Sequence, residues 1–325
     1  MQAVWYERNG PAREVLNFGD MPDPEPGAGE VRVHVHASGV NPSDWKTRSG
    51  SRPMVAPRVI PHSDGAGVID RVGPNVDPAR IGERVWLWNA QWKRAFGTAA
   101  THIALPSSQA ARLPDGIPFE AGACLGIPAL TAHRAVTADG SPEGQIVLVA
   151  GGAGAVGHYA IQIAKLLGAV QVIATVSSDE KAEHARAAGA VVIVNYRTEP
   201  VPDRVREITR GHGVDRVVEV DIAGNAGLLP KIVAQDGLCV AYGSNAPQAA
   251  FEFGPMILSG AAVRFFIVYE LSAAARERGV NDLTRWMAEG RLRHAIGATL
   301  PLERTVEAHE LVEGGKVIGN VIVRP

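Results

Sequence analysis

Between Gln145 and Gly168 the chain reads QIVLVAGGAGAVGHYAIQIAKLLG, an order that few folds accommodate. A short apolar run, Ile146–Ala150, has the look of a buried strand. It passes into a glycine-rich turn, and helical periodicity then holds until Gly168. Gly152, Gly154 and Gly157 stand at G-x-G-x-x-G spacing. In such a turn one glycine makes the tight bend and a second lets backbone approach a pyrophosphate. The third lets the helix pack on the strand. The helix N-terminus then offers unbonded N–H groups and the positive end of its dipole to the phosphates. Glycine accounts for 36 of 325 residues, so the spacing alone says little. The strand before it and the helix after it make it a dinucleotide signature. The alternative is a βα turn that binds nothing.

The pattern continues downstream. Val170–Val176, Val191–Asn195, Val214–Asp221, Leu238–Tyr242 and Val263–Val268 read as strands. Asp179–Ala188, stopped by Gly189, and Asp203–Thr209 read as helices. Alternation of this kind predicts an α/β, doubly wound parallel sheet. Residues 1–115 differ: Val31, Val33 and Val35 alternate with Arg32, His34 and His36, the period of a half-buried strand. Gly67–Val72 and Arg84–Trp88 add strands to what should be an antiparallel, partly closed barrel. From Phe119 a helix is expected, interrupted near Gly126-Ile127-Pro128. A helix over Ala273–Glu289, a short strand, a helical Glu307–Glu313 and a final strand Val317–Val323 close the chain. That last strand has no place in the parallel order and is expected to rejoin the N-terminal domain.

A net charge of −2 leaves no electrostatic footprint for nucleic acid or an anionic membrane. No apolar run approaches the roughly 20 residues a bilayer span needs, and MQAVWYERNGPARE lacks the regions of a signal peptide. The two cysteines, Cys124 and Cys239, sit in apolar surroundings and read as reduced core residues. The expectation is a cytoplasmic enzyme.

The second strand ends in Ser177-Ser178, followed by Asp179, Glu180 and Lys181. A carboxylate at this tip holds the ribose 2′-hydroxyl of NAD and repels a 2′-phosphate; hydroxyls and an ammonium attract that phosphate. The tip therefore favours NADPH. Ser177-x-x-Glu180 also reads as a capping box for the next helix, which leaves Lys181 free. If Asp179 were the tip acid, the preference would reverse.

With these features and the Asn195-Tyr196-Arg197 triplet, the chain resembles the zinc-free quinone oxidoreductase (zeta-crystallin-like) branch of the medium-chain dehydrogenase/reductase superfamily. The resemblance runs nearly end to end. It is carried by GVNPSDWKTRSG (Gly39–Gly50), PHSDGAGVI (Pro61–Ile69), Leu130-Thr131-Ala132, the glycine turn, Asn225, Tyr242-Gly243-Ser244-Asn245 and the Phe265–Ile267 segment. It implies a GroES-like β-barrel catalytic domain over 1–123 and 271–325, with a Rossmann NADPH-binding domain over 124–270.

Residue by residue, the resemblance places Ala153, Gly154, Ala155 and Val156 around the pyrophosphate, and Ser177, Ser178, Lys181 and Tyr196 around the 2′-phosphate. Asn225 falls beside the adenine, and Gly243, Ser244 and Asn245 nearer the ribose. Phe265, Phe266 and Ile267 run past the nicotinamide. Asn41 and Thr131 face nicotinamide and substrate. Simpler roles stand beside these. Thr131 can bond a preceding helical carbonyl, and Asn225 can cap a helix after Gly224. Tyr196 can merely cover the adenine pocket, and Asn41 can make an Asx-turn before Pro42.

Zinc-dependent relatives carry a cysteine at the position of Asn41 and a His-Glu pair at Ser63-Asp64, so no metal is expected. His62 reads as a hydrogen-bonded structural histidine. Without a Lewis acid, a quinone is the expected acceptor, because it takes hydride with little help. An activated C=C beside a carbonyl (an enal, enone or enoyl thioester) is the alternative, and a non-enzymatic or RNA-binding role a third. Lys46 and Arg52 depart from the family by standing where several members have tyrosine. Lys46 is accordingly a candidate catalytic donor alongside Asn41 and Thr131. Trp45, Trp88 and Trp92 are either walls for an aromatic acceptor or core residues. The resemblance also implies a homodimer, and VRFFIV (Val263–Val268) is an apolar edge that pairing would cover.

Overall fold

A computed structural model describes all 325 residues. The chain divides into two compact units, Met1–Ile127 with Val280–Pro325, and Pro128–Gly279. Their limits lie slightly C-terminal to the breaks at 123/124 and 270/271 read from the sequence.

The first unit opens with β1 (Gln2–Trp5) and β2 (Asn17–Asp20), an antiparallel pair. The long β3 (Glu30–Val40) then leads into α1 (Pro42–Arg48), followed by β4 (Asp64–Val72), β5 (Arg84–Leu87), β6 (His102–Pro106) and β7 (Ala110–Arg112). Val31, Val33 and Val35 face a core shared with Ile69, Val85, Leu87, Ile103 and Leu105. Fully burying one such side chain contributes roughly 1.5–3 kcal/mol. The alternation is imperfect: Arg32 is buried too, paired with Asp70, and beyond Val35, where the register with β4 shifts, Ala37 through Val40 are all buried.

The expected interruption is a π-helical turn, Leu125–Ala129, holding Pro128, after which α2 (Leu130–Thr137) continues. The second unit then builds β8 (Ile146–Val149), α3 (Ala155–Leu166), β9 (Gln171–Val176), α4 (Asp179–Ala188), β10 (Val192–Asn195), α5 (Val201–Ile208), β11 (Val214–Glu219), α6 (Ile222–Asn225), β12 (Val233–Ala241), α7 (Phe253–Ser259) and β13 (Ala262–Phe265). The parallel sheet has the order β10-β9-β8-β11-β12-β13, so its direction of growth reverses between β8 and β11. In open α/β sheets, ligands bind beyond the strand ends at such a reversal. Its central strand β8 reads as an unbroken apolar run because both faces are covered.

Within the parallel sheet, β12 and β13 depart most from the sequence reading. β12 starts at Val233 rather than Leu238; the residues between bulge out of register, with Asp236 at φ 59. β13 stops at Phe265, because Val268–Glu270 coils into a 3₁₀ turn instead of extending the strand.

The helix Ala273–Ala288 (α8) precedes β14 (Ile296–Pro301), α9 (Thr305–Glu313) and β15 (Asn320–Arg324). β15 starts at Asn320 rather than Val317 and pairs antiparallel with β3, Val321 opposite Val40 and Val323 opposite Ser38. The chain end thus rejoins the N-terminal sheet, as its missing place in the parallel order required. No helix is long and apolar enough to cross a membrane.

Candidate functional site

The glycine turn follows β8. The left-handed residue is Gly151 (φ 67), one position before the G-x-G-x-x-G spacing begins. Its N–H donates to Thr175 Oγ1 (3.2 Å), and Gly152 N–H donates to the Thr175 carbonyl (3.0 Å), which fastens the turn to β9. Gly157 is the packing glycine: a Cβ there would lie 2.3 Å from the Gly151 carbonyl oxygen. Gly154 is the N-cap of α3, and the first helical bond runs from His158 N–H to its carbonyl (2.9 Å). The N–H groups of Ala155, Val156 and Gly157 precede that bond, so they have no carbonyl within the helix and suit an anion.

At the tip of β9 the cap differs from the expected one. Ser178, not Ser177, is the N-cap of α4, and its Oγ accepts the Lys181 backbone N–H at 3.3 Å. Ser177 accepts instead from the Lys181 ammonium at 3.1 Å, so that cation is held at the strand tip rather than left free. The strand ends at Val176, and Asp179 and Glu180 are exposed in the first turn of α4. There a carboxylate complements the helix dipole. Asp179 is therefore a helix residue and not the strand-tip acid. Tyr196, 52% exposed, donates its N–H to the Val176 carbonyl (3.1 Å). The structure thus brings Ser177, Ser178, Lys181 and Tyr196 together.

Beyond β11 and β12 lies a cavity of about 420 Å³, lined by Ile222, Tyr242, Gly243, Ser244, Phe265 and Phe266 among others. Asn225 ends α6 rather than capping it; the N-cap is Asp221. The Asn225 amide donates to Glu219 Oε1 at 2.9 Å. Asn245 donates twice to Asp221, from N (2.8 Å) and Nδ2 (3.0 Å). Glu219 and Asp221 escaped the sequence reading, although two carboxylates at the end of the apolar run VVEVD signal a polar strand end. Burial raises the Glu219 pKa against its hydrogen bonds, and burial with Glu219 pushes the Tyr242 hydroxyl well up. Ser244 Oγ donates to the Ala246 carbonyl (2.6 Å), and Phe265 and Ile267 are exposed beside this region.

In the first unit, Asn41 is the N-cap of α1 and is 4% exposed. Its side-chain Nδ2 donates to Asp64 Oδ2 at 2.8 Å, an oxygen that also accepts Ile127 N–H (2.9 Å). Asp44 closes the cap by accepting Asn41 N–H at 2.7 Å, and burial raises its carboxyl to about 7. Lys46 is half-buried, its ammonium 5.8 Å from the Trp45 ring centroid. Arg52 stacks over Trp92 at 4.6 Å. Trp45, Trp88 and Trp92 are all partly exposed.

His62 is fully buried, held by Ser38 Oγ at Nδ1 (2.8 Å) and by His309 at Nε2 (2.9 Å), which is the structural role expected of it. No three His, Cys, Asp or Glu side chains are placed to hold a metal. Thr131, in the second unit, is buried on α2.

A parallel sheet with this glycine turn in one unit, and in the other an antiparallel sheet completed by the chain's own C-terminus, are the two parts of a nicotinamide-dinucleotide oxidoreductase. Residues 27–115 match the alcohol dehydrogenase GroES-like domain, and 155–286 the zinc-binding dehydrogenase family. Human quinone oxidoreductase is 30% identical over 98% of this chain and 95% of its own. A Burkholderia 2-haloacrylate reductase is 30% identical over 100% and 99%. Among solved structures, an NAD-dependent alcohol dehydrogenase superposes with a TM-score of 0.91 at 31% identity over 100% of both chains. Escherichia coli quinone oxidoreductase, complexed with NADPH, does so at 0.89 and 25% over 100% of both. The chain belongs to the quinone oxidoreductase type of the medium-chain dehydrogenase/reductase superfamily.

Proposed function

We propose that the protein is an NADPH-dependent reductase that needs no metal and whose acceptor is a quinone. The observation that carries the cofactor choice is the Lys181 ammonium fixed on Ser177 beside Ser178 and Tyr196, with both nearby carboxylates on the exposed helical turn. A 2′-phosphate there would meet a cation and hydroxyls, while the α3 N-terminus and Ala153–Val156 suit the pyrophosphate. The residues present fit a dinucleotide. When bound, NADPH supplies the hydride; the protein's part is to hold it against an acceptor and exclude water.

Metal independence rests on donor chemistry. Asn41 and Ser63 offer an amide and a hydroxyl where zinc needs thiolate or imidazole, and the Asn41 amide is already engaged by Asp64. Asn41, Lys46 and Thr131 are the proposed substrate-side residues. The likeness to a 2-haloacrylate reductase favours a second reading, reduction of an activated C=C, in which Lys46 stabilises the enolate oxygen.

The proposed assembly is a homodimer through the edge strand β13. Phe265 on that strand is 60% exposed, and α7 before it exposes Phe253 (77%) and Leu258 (80%). An NADPH-oxidation screen over benzoquinone, naphthoquinone, 2-alkenals and crotonyl thioesters tests the reading. Turnover with alkenes alone would favour the second reading, and no turnover with any acceptor would remove both.

A further inference from the structure

Two connections beyond the sheet carry residues assigned to the cofactor: the loop 220–228 with its single helical turn α6 after β11, and 242–248 after β12. Loops of this length order themselves poorly unless something outside the strands ties them. Here the tie is a chain of carboxylates. Glu219, 2% exposed at the last position of β11, accepts both Asp221 N–H (2.5 Å) and Asn225 Nδ2 (2.9 Å) on one oxygen, Oε1. That fixes the backbone direction of Asp221 and the side chain of Asn225 from beneath. Asp221 then reaches across to the neighbouring loop. Its Oδ1 accepts Asn245 N–H (2.8 Å) and, at 3.4 Å, Gly224 N–H; its Oδ2 accepts Asn245 Nδ2 (3.0 Å).

The backbones are equally close. Ile222 N–H donates to the Gly243 carbonyl (3.1 Å), and a Cβ on Gly243 would lie 2.3 Å from the Val220 carbonyl oxygen. Only glycine lets the two loops meet. An acidic side chain at a strand end near a dinucleotide would ordinarily repel its phosphates. This one has both oxygens occupied by N–H donors, which suits a scaffold better than a ligand. Ile222, Gly243 and Ser244, in the joined loops, line the 420 Å³ cavity.

We propose that Asp221, seated on the buried Glu219, is a positioning residue that clamps these two loops in the geometry that receives the nicotinamide ribose. The proposal rests on the cofactor reading given above. Without the clamp, binding must order both loops and lose that conformational freedom, so affinity falls while the chemistry of the bound complex is unchanged.

The test is Asp221→Ala, with Asp221→Asn as the conservative partner, in the full-length protein. NADPH affinity is read from cofactor fluorescence, and kcat and KM from steady-state turnover. Asp221→Ala should weaken NADPH by roughly 10- to 30-fold, the scale of one or two charge-assisted hydrogen bonds, with kcat at saturation within about twofold. Asp221→Asn, which keeps one acceptor oxygen, should recover part of the loss. The fragment 2′,5′-ADP lacks the nicotinamide ribose, and Asn225 on the adenine side stays bonded to Glu219 in both variants, so the fragment should bind them within about twofold of the parent. Equal losses for NADPH and 2′,5′-ADP, a kcat that falls as far as affinity, or no change at all would each overturn the clamp. A parent protein that binds no dinucleotide would overturn the cofactor reading itself, and the clamp with it.

Discussion

Lowering the pH from about 7.5 to about 5.5 should weaken the first unit through one buried pair of imidazoles, and the hydrogen bonds around it assign both tautomers. Thr98 donates its hydroxyl proton to the Asp64 carbonyl, so toward Ser38 (2.8 Å) it can only accept. Ser38 therefore donates to Thr98 and must accept from His62 Nδ1 (2.8 Å). Neutral His62 then carries its proton on Nδ1, leaving Nε2 to accept from His309 Nε2 (2.9 Å). His309 Nδ1 is left as a bare, buried nitrogen with no hydrogen-bond partner. Protonating His62 would set two donors against each other; protonating His309 would bury an N–H without an acceptor, in the field of Arg48. Burial holds His62 down to about 3, and burial, His62 and Arg48 hold His309 well below its ordinary value.

Both folded-state values are depressed, so the stabilisation is present above the unfolded pKa near 6.5 and is lost as pH falls below it. Each histidine loses about 1.4 kcal/mol per pH unit there, roughly 2.7 kcal/mol for the pair at about pH 5.5. Asp44 acts in the opposite sense. Its carboxyl, raised to about 7, takes up a proton in the folded state over the same interval and offsets part of the loss. The raw pH slope is therefore ambiguous, but a difference is not. His309→Gln places an amide N–H where Nε2–H stood and does not titrate, so the variant should lose about 1.4 kcal/mol less than the parent between the two pH values. Tryptophan fluorescence in urea is the assay, because all six tryptophans (Trp5, Trp45, Trp86, Trp88, Trp92 and Trp286) belong to the first unit. Nitrogen-15 histidine spectra check the tautomers. Parallel pH profiles for parent and variant would refute the reasoning.

Further outcomes are expected. NADPH should bind at least roughly tenfold more tightly than NADH, with Lys181→Ala weakening NADPH and sparing NADH, as competition binding will report. Exhaustive chelation with EDTA or phenanthroline should leave turnover intact; activity lost and then restored by zinc would reverse the site assignment. Asn41→Ala, Lys46→Ala and Thr131→Ala should each lower kcat/KM for naphthoquinone by roughly 10- to 100-fold. A loss beyond roughly 1,000-fold for Lys46→Ala with an enone alone would promote C=C reduction. Light scattering at micromolar concentration should return twice the chain mass, and Leu258→Glu on the exposed α7 should lower it; a parent monomer would exclude the β13 interface.

What the sequence determined by itself was whatever is local. Hydrophobic period, glycine placement and strand–helix alternation set the parallel sheet and the βα turn, because those signals act within a few residues along the chain. The Ser177…Lys181 tip was legible for the same reason. The choice of Ser178 over Ser177 as the cap of α4 is equally local, with Ser177 taken by the Lys181 side chain four residues on, whereas tertiary structure acted over longer separations. It decided that Gly151 makes the turn, a choice set by the bond to Thr175 on another strand. It also decided that β12 begins at Val233, through a bulge visible only in register with β11. The carboxylates of Glu219 and Asp221 stayed silent in the sequence because their meaning lies in Asn245, 24 residues beyond Asp221. His62 and His309, separated by 247 positions, become a pair only when α9 folds back onto the N-terminal sheet. Contacts at such separation leave no periodic trace, so only the folded chain reveals them.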